Sequence, residues 1–433
     1  MKTPFTLFIT IMLHLHSFSQ ERLSLEQAVK IALKNNFDLR LSSNVVEQTE
    51  NNNTLGNAGM LPVVNLDGSY TRSSNSVNQK YSNGQEVDKD ASLSTNTFAD
   101  AGADWIIFDG LRMFSTKNKL GEFSFLSRDQ QKIEIENTVE NVTDAYYFLI
   151  RQQQLLKAIE EELKLTDDRV KLTDRKFKNG SGSKLDWLQA KTEFNRQRSL
   201  QITLETQAAA AYANLNKLLG RDIETKYLIE DSVVISYRPS YDELKKSVPE
   251  KNNEIAFYKR NQKIAQLELK EAKSLRWPTI GLNADYMYSK STNENGFTLL
   301  NQLQGFNYGI TATLPLFDGF NINRQIKNAK LQTIYSDISL EYANLNVRSE
   351  LYNAYTVFTN NYELLLIEEE NIGYAREVLM IANERYRIGV SNSTEQLEAQ
   401  RTFEEAMKRL ADARYFAKVS ETRLRKLNGE LVR

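Results

Sequence analysis

Phe108-Asp109-Gly110 returns in the chain as Phe317-Asp318-Gly319, an offset of 209 residues. Lys176-Phe177 followed by Gly180 returns at the same offset as Arg385-Tyr386 followed by Gly389. Leu188, Ala190 and Phe194 map on Leu397, Ala399 and Phe403, and Leu215, Lys217, Leu218 and Gly220 map on Leu424, Lys426, Leu427 and Gly429. Self-similarity at one offset marks a chain assembled from repeated structural units. Upstream the offset becomes 216, since Ser24 matches Ser240 and Leu61-Pro62 matches Trp277-Pro278. The first copy therefore carries seven extra residues between Pro62 and Phe108. The polar stretch 73–96, opposite 290–304 of the second copy, is where a loop insertion is expected. The repeats divide the chain into a leader at 1–20, a first unit at 21–220, a linker at 221–251 and a second unit at 252–433.

Between the motifs run two long segments, about 111–178 and 320–388, with no proline in either. Apolar residues recur in the first at Ile135, Val139, Val142, Tyr146, Leu149, Leu156 and Leu163, and in the second at Leu351, Tyr355, Phe358, Tyr362, Leu365, Ile372 and Leu379. Spacings of three, four and seven form a coiled-coil seam, so each segment is expected to be a helix roughly 100 Å long at 1.5 Å per residue. Both stop at a glycine, Gly180 and Gly389, the residue that accommodates the left-handed backbone just past a helix end. Further helices are expected at about 184–219 and 394–428, opened by capping boxes at 183–186 and 393–396. Shorter ones are expected at about 38–60 and 253–276.

Ahead of each long helix the pattern changes to alternation. Val64, Leu66, Gly68 and Tyr70 oppose Asn65, Asp67 and Ser69, and Ile280, Leu282, Ala284 and Tyr286 oppose Gly281, Asn283 and Asp285. Return strands alternate likewise through Ala101, Ala103, Trp105 and Ile107, and through Tyr308, Ile310, Ala312 and Leu314. Four strands are expected, at about 62–72, 97–109, 278–289 and 305–317. Segments of about ten residues with one apolar and one polar face suit a transmembrane barrel, and suit a half-buried soluble sheet equally. Four strands cannot close a barrel, and open edges in lipid leave backbone groups unpaired. A membrane barrel from this chain must therefore be shared, and three subunits supply twelve strands.

The N-terminus reads as a signal peptide, with Lys2, an apolar run over 5–15 and small residues Ser17 and Ser19. That run is far shorter than the roughly 20 residues a spanning helix needs. There is no cysteine, and the only histidines, His14 and His16, lie in the leader. Imidazole triads, thiolate chemistry and histidine-ligated zinc are thereby excluded from the mature chain. With 55 basic and 56 acidic residues the charge balance gives no nucleic-acid surface. After the leader no apolar run reaches the length of a membrane helix, so any spanning must be by a closed β-barrel.

These residues resemble the TolC family of outer-membrane efflux channels over about 23–430. The resemblance rests on the duplicated Phe-Asp-Gly, the paired turns ending at Gly180 and Gly389, the motifs at Leu188 and Leu397, and the closing Leu-Leu-Gly and Leu-Asn-Gly. It implies a mainly α fold with a membrane β-barrel: long coiled-coil helices forming a periplasmic α-barrel, and four strands per chain in a trimeric twelve-stranded barrel. It implies a homotrimer in the outer membrane with a tunnel into the periplasm. The expected partners are a periplasmic adaptor protein and an inner-membrane RND, ABC or MFS transporter. No cofactor, metal site, nucleic acid or catalysis is implied.

The resemblance also assigns sites. Acidic residues six and nine positions after the second glycine, here Glu395 and Glu398, are expected to ring a periplasmic aperture. Acids in a helix's first turn also offset its dipole without any pore. Tyr386 and Asp186 match two members of the family's closed-state latch, while Ser391 stands in place of its arginine, leaving Arg387 or Lys184 as substitutes. The turns at Gly180 and Gly389 are the expected adaptor contacts. Two other readings fit parts of the sequence. An exported coiled-coil scaffold explains the helices but not the four alternating segments. A carboxylate-based polysaccharide hydrolase needs two acids fixed across a cleft.

Overall fold

Asp109 and Asp318, the acids of the duplicated motif, each cap a 67-residue helix in the computed structural model, which describes residues 22–230 and 232–431. The leader read at 1–20 lies outside the described residues. In chain order the elements are β1 (Arg22–Leu23), α1 (Leu25–Asn35), α2 (Phe37–Asn52), β2 (Val63–Lys80), β3 (Glu86–Phe108), α3 (Arg112–Lys178) and α4 (Lys184–Leu219). Then follow β4 (Leu228–Ile229), α5 (Tyr241–Lys251), α6 (Asn253–Ser274), β5 (Thr279–Asn293), β6 (Leu300–Thr313), α7 (Asn321–Arg387) and α8 (Ser393–Leu427). The second copy thus repeats the first as helix, strand, strand, long helix, helix.

The motif is an elbow from strand into helix. The Asp109 carboxylate accepts from the Met113 amide at 3.0 and 3.1 Å, and the Asp318 carboxylate from the Ile322 amide at 2.6 Å. Each acid satisfies an N–H that the first helical turn leaves without a partner, and faces the positive end of the helix dipole. Two successive left-handed residues make the bend: Gly110 and Leu111 at φ +71° and +66°, Gly319 and Phe320 at +69° and +65°. Glycine takes that conformation without a Cβ clash. Gly110 is held by space as well, since a Cβ there would come within 2.5 Å of the Ser274 carbonyl oxygen and 2.7 Å of Trp277 Cβ. At Gly319 the nearest atom is 3.7 Å away.

The four long strands form one antiparallel sheet in the order β2–β3–β5–β6. Val63 pairs with Asp104, and Thr279 with Thr313. The offsets of 216 and 209 carry the first pair onto the second, so both hairpins start in the same register. Their far ends differ. β2 and β3 run to Lys80 and from Glu86, so of the stretch 73–96 only 81–85 lies outside a strand. The seven extra residues lengthen a paired ladder rather than forming a loop. Backbone pairing needs no apolar side chains, and a bulge between Asn75 and Val77 takes up the irregularity. β6 ends at Thr313, short of the expected 317, because Pro315 has no N–H to give a ladder.

The alternation gives two distinct faces. Leu66 pairs with Ala101, Ala103 with Ala284, Trp105 with Leu282 and Leu282 with Ile310, all on one side. Leu66, Tyr308 and Ile310 are 82%, 80% and 74% exposed in the single chain, so the apolar face is uncovered. Asp67, Asp100, Asp104 and Asp285 share the other side. Among the described residues no helix is long and apolar enough to cross a membrane.

The chain divides into two compact units. One gathers the described residues up to Arg40, Ile135–Lys245 and Glu350 onward; the other gathers Leu41–Glu134 and Lys246–Ser349, including the sheet. The core of the first is built on Tyr146, Leu149, Ile150, Leu215 and Leu219 around Leu23, with the Tyr146 hydroxyl donating to the Leu23 carbonyl at 2.9 Å. The parallel pair β1–β4 sits beside it. The β-like run 233–236 carries no strand; the linker's strand is Leu228–Ile229, followed by α5. The expected 38–60 helix stops at Asn52, and α1 precedes it, opened by a Ser24–Gln27 capping box.

Because Gly110 is fixed by both conformation and space, Gly110→Ala is expected to lower stability by about 2 kcal/mol or more. Gly319→Ala should cost only about 1 kcal/mol. Denaturant midpoints check the order; equal losses would contradict it.

Candidate functional site

The candidate site lies at the two glycine turns, Gly180 and Gly389. α3 ends as Gly180 takes φ +71°, with the Ser181 amide donating to the Lys176 carbonyl at 2.9 Å. α7 ends the same way, with Gly389 at φ +79° and the Val390 amide on the Arg385 carbonyl at 3.0 Å. Amides just past the turn thus take up the last free carbonyls of each helix. A Cβ at neighbouring Gly182 would come within 2.7 Å of Lys176 Cβ, so that position also requires glycine. Ser183 caps α4, its hydroxyl accepting from the Leu185 amide at 3.0 Å. The cap of α8 is Asn392 rather than Ser393: its side-chain oxygen accepts from the Glu395 amide at 3.0 Å. Ser393 is thereby free for another use.

That use links the helices. Ser393 Oγ donates to Asp186 Oδ1 at 3.1 Å, tying α8 to α4. Arg169, on α3 and 5% exposed, donates from Nη2 to the Ser393 carbonyl at 3.4 Å and lies 5.8 Å from the centre of the Tyr386 ring. Tyr386 and Asp186 therefore belong to one cluster and meet through Ser393 and Arg169. Burial pushes the Arg169 guanidinium down, against the opposing pull of Tyr386, Glu193 and Asp186. Its Nε and Nη1 have no hydrogen-bond partner. Neither expected substitute supplies the missing cation: Arg387 is paired with Glu384 at 2.7 Å, and Lys184, the first residue of α4, makes no ion pair with Asp186 among the described residues; the Ser391 hydroxyl donates to the adjacent Asn392 carbonyl. Arg169 was not legible in sequence, because a lone arginine in the run Asp167-Asp168-Arg169 reads as a solvated face.

Glu395 and Glu398 line one groove of about 370 Å³ between α7 and α8, walled by Val378, Ile381 and Ala382. They are not equivalent. Glu395 is ion-paired with Arg385 Nε at 2.9 Å, from the turn of the opposite helix. Around the turns Leu185, Leu188, Ile388 and Val390 are exposed, and Phe177 stacks on Trp187 with ring centres 6.0 Å apart and planes 7° from parallel. No cluster able to hold a metal ion occurs among the described residues.

Comparison with known proteins agrees with this architecture. A family model described as outer membrane efflux protein matches residues 28–221 and 247–430, one match per repeat. Alkaline protease secretion protein AprF of Pseudomonas aeruginosa is 23% identical over 416 residues, covering 94% of this chain and 85% of AprF. The probable efflux pump outer membrane protein TtgC of Pseudomonas putida is 23% identical over 411 residues, covering 94% and 83%. The Campylobacter jejuni CmeC outer membrane channel has the same fold, with a TM-score of 0.80, 17% identity, and 94% and 85% coverage.

The Ser393–Asp186 bond should be measurable as a coupling. A double-mutant cycle of Ser393→Ala and Asp186→Ala is expected to give about 0.5–1.5 kcal/mol in denaturant unfolding. Strict additivity would mean the two side chains do not meet.

Proposed function

The chain belongs to the outer membrane efflux protein family and is an outer-membrane channel subunit; on that premise we propose that three copies assemble into one passive exit duct. The observation that carries this reading is the sheet. β2 and β6 each have a neighbour on one side only, and the apolar face between them is uncovered. In lipid every unpaired backbone group costs several kcal/mol, so the free edges of one copy are completed by those of the next. Twelve strands then close around the carboxylate-bearing polar face, and the apolar face meets lipid.

The duct performs no catalysis and needs no cofactor. It receives its cargo from an inner-membrane transporter of the RND, ABC or MFS class through a periplasmic adaptor protein. One relative is named for protease secretion and another for an efflux pump, so both kinds of system are in reach. The adaptor docks at the turns of Gly180 and Gly389, where exposed Leu185, Leu188, Ile388 and Val390 offer apolar contact. Tyr386 and Asp186 help to hold the closed state through Ser393, and Glu395 and Glu398 narrow the aperture. In a trimer these acids make six carboxylates near one axis, a ring that attracts cations. Arg385 neutralises Glu395, so Glu398 carries most of the field.

In planar bilayers the protein is expected to form cation-preferring pores. Glu398→Ala should reduce the cation preference more than Glu395→Ala, and the double variant should raise single-channel conductance. Conductance and selectivity unchanged in the double variant would sink the aperture assignment.

A further inference from the structure

Farther along the helices from the turns lies a polar cluster that the proposed duct does not use. It fills the seam where α3, α4 and α8 meet. Glu162 and Thr166 on α3 and Glu193 and Gln197 on α4 are each at most 6% exposed. Gln400 and Glu404 face them from α8. Glu404 is fully engaged. Arg196 Nη2 reaches its Oε2 at 2.7 Å, and Gln197 Nε2 and Gln400 Nε2 reach its Oε1 at 2.9 and 3.3 Å. Arg196 is shared with Glu193, at 2.9 Å from Nε. Thr166 donates to Gln197 Oε1 at 2.7 Å and so fixes the orientation of that amide.

Glu162 is buried in the same seam, and it lines one groove together with Glu404. Two ionised carboxylates side by side in a buried seam repel, which favours a proton on the buried Glu162. The local charge count agrees. Three carboxyl groups, Glu162, Glu193 and Glu404, gather around one guanidinium, Arg196. The remaining charged groups lining the adjoining cavities are Glu161, Arg151 and Arg169 on α3 and Glu405 and Lys408 on α8. Arg151 is committed to Asp412, and Arg169 to Tyr386 and Ser393. Glu162 lines both a groove of about 710 Å³ and a cavity of about 220 Å³, so the proton has a path to solvent and α8 has room to shift.

We propose that Glu162 carries a proton in the α3–α8 seam at neutral pH, and that losing it loosens α8, the helix that carries Glu395 and Glu398. Burial, and then the neighbouring Glu404 carboxylate, push the Glu162 carboxyl up to about 9, with Arg196 pulling the other way. The folded seam therefore binds the proton more tightly than an unfolded chain does. Its contribution to stability is complete below the ordinary carboxylate value, declines as pH rises above it, and is gone once pH passes the raised value. Acid locks the seam and alkali frees it. This device does not depend on the aperture reading, because its residues lie outside that groove.

Infrared spectra of the detergent-solubilised full chain, with bilayer conductance from about pH 6 to about pH 10, test it. The wild type should show a protonated-carboxyl C=O stretch at neutral pH that disappears in alkali, with conductance rising over the same interval. Glu162→Gln keeps a neutral hydrogen-bonding group at nearly the same size; it should abolish both the band and the conductance step. Glu404→Gln removes a neighbouring negative charge and should move the band loss and the conductance step to lower pH. Glu395→Ala with Glu398→Ala should leave the step in place, which separates this device from the aperture. A wild type lacking the band at neutral pH, or a step that survives unchanged in Glu162→Gln, would overturn the proposal.

Discussion

A β-strand edge has hydrogen-bonding groups that something must satisfy, and in the core of a bilayer water is not available to do it. Everything in this chain is arranged around that constraint. Two hairpins join through β3 and β5 into a four-stranded sheet, which leaves β2 and β6 open. The exposed apolar face suits lipid, but the open edges do not. Closure by further copies resolves the conflict, and three copies reach the strand number of a water-filled pore.

The duplication supplies the geometry for this. Both hairpins begin in the same register, and both return strands lead through the same elbow into a 67-residue helix. The elbow depends on an aspartate aimed at the new helix's free amides and on a glycine–residue pair in the left-handed region. One motif used twice therefore fixes how strand passes to helix at both places. The copies diverge where pairing is not shared: the first hairpin is longer, and its Gly110 is pinned against Ser274 and Trp277 while Gly319 stands free.

Much of this was legible in the residues. Period-two alternation located all four strands, and three–four spacing located the long helices to within a few residues, because burial on one face leaves a periodic trace. The polar ends of β2 and β3 left none, since the backbone ladder and polar cross-strand pairs such as Ser76–Asp90 and Asn78–Asp88 hold them rather than apolar side chains. α1 and α5, at 11 residues each, fell outside the expected helices, although α1 carries apolar residues at 25, 28, 29 and 32. At the turns, Tyr386, Asp186, Glu395 and Glu398 could be placed by their distance from glycine. Their partners could not. Arg169, Arg385 and Ser393 come from other elements or sit one residue past a cap, and Glu162 looked like one acid among many in a solvated run. Pairings across helices depend on rotation about each axis, which local spacing does not record.

The central claim is that β2 of one copy pairs with β6 of the next. The chain has no cysteine of its own, so introduced ones report without background. Leu66→Cys on β2 can be combined in turn with Phe306→Cys, Tyr308→Cys and Ile310→Cys on β6. Within one chain β3 and β5 separate these positions by about 14 Å at roughly 4.8 Å per strand, too far for a disulfide. Oxidation in outer membranes is predicted to give covalent species of up to three chains for at least one pair, reversed by reductant. Single chains throughout the scan would contradict the shared barrel.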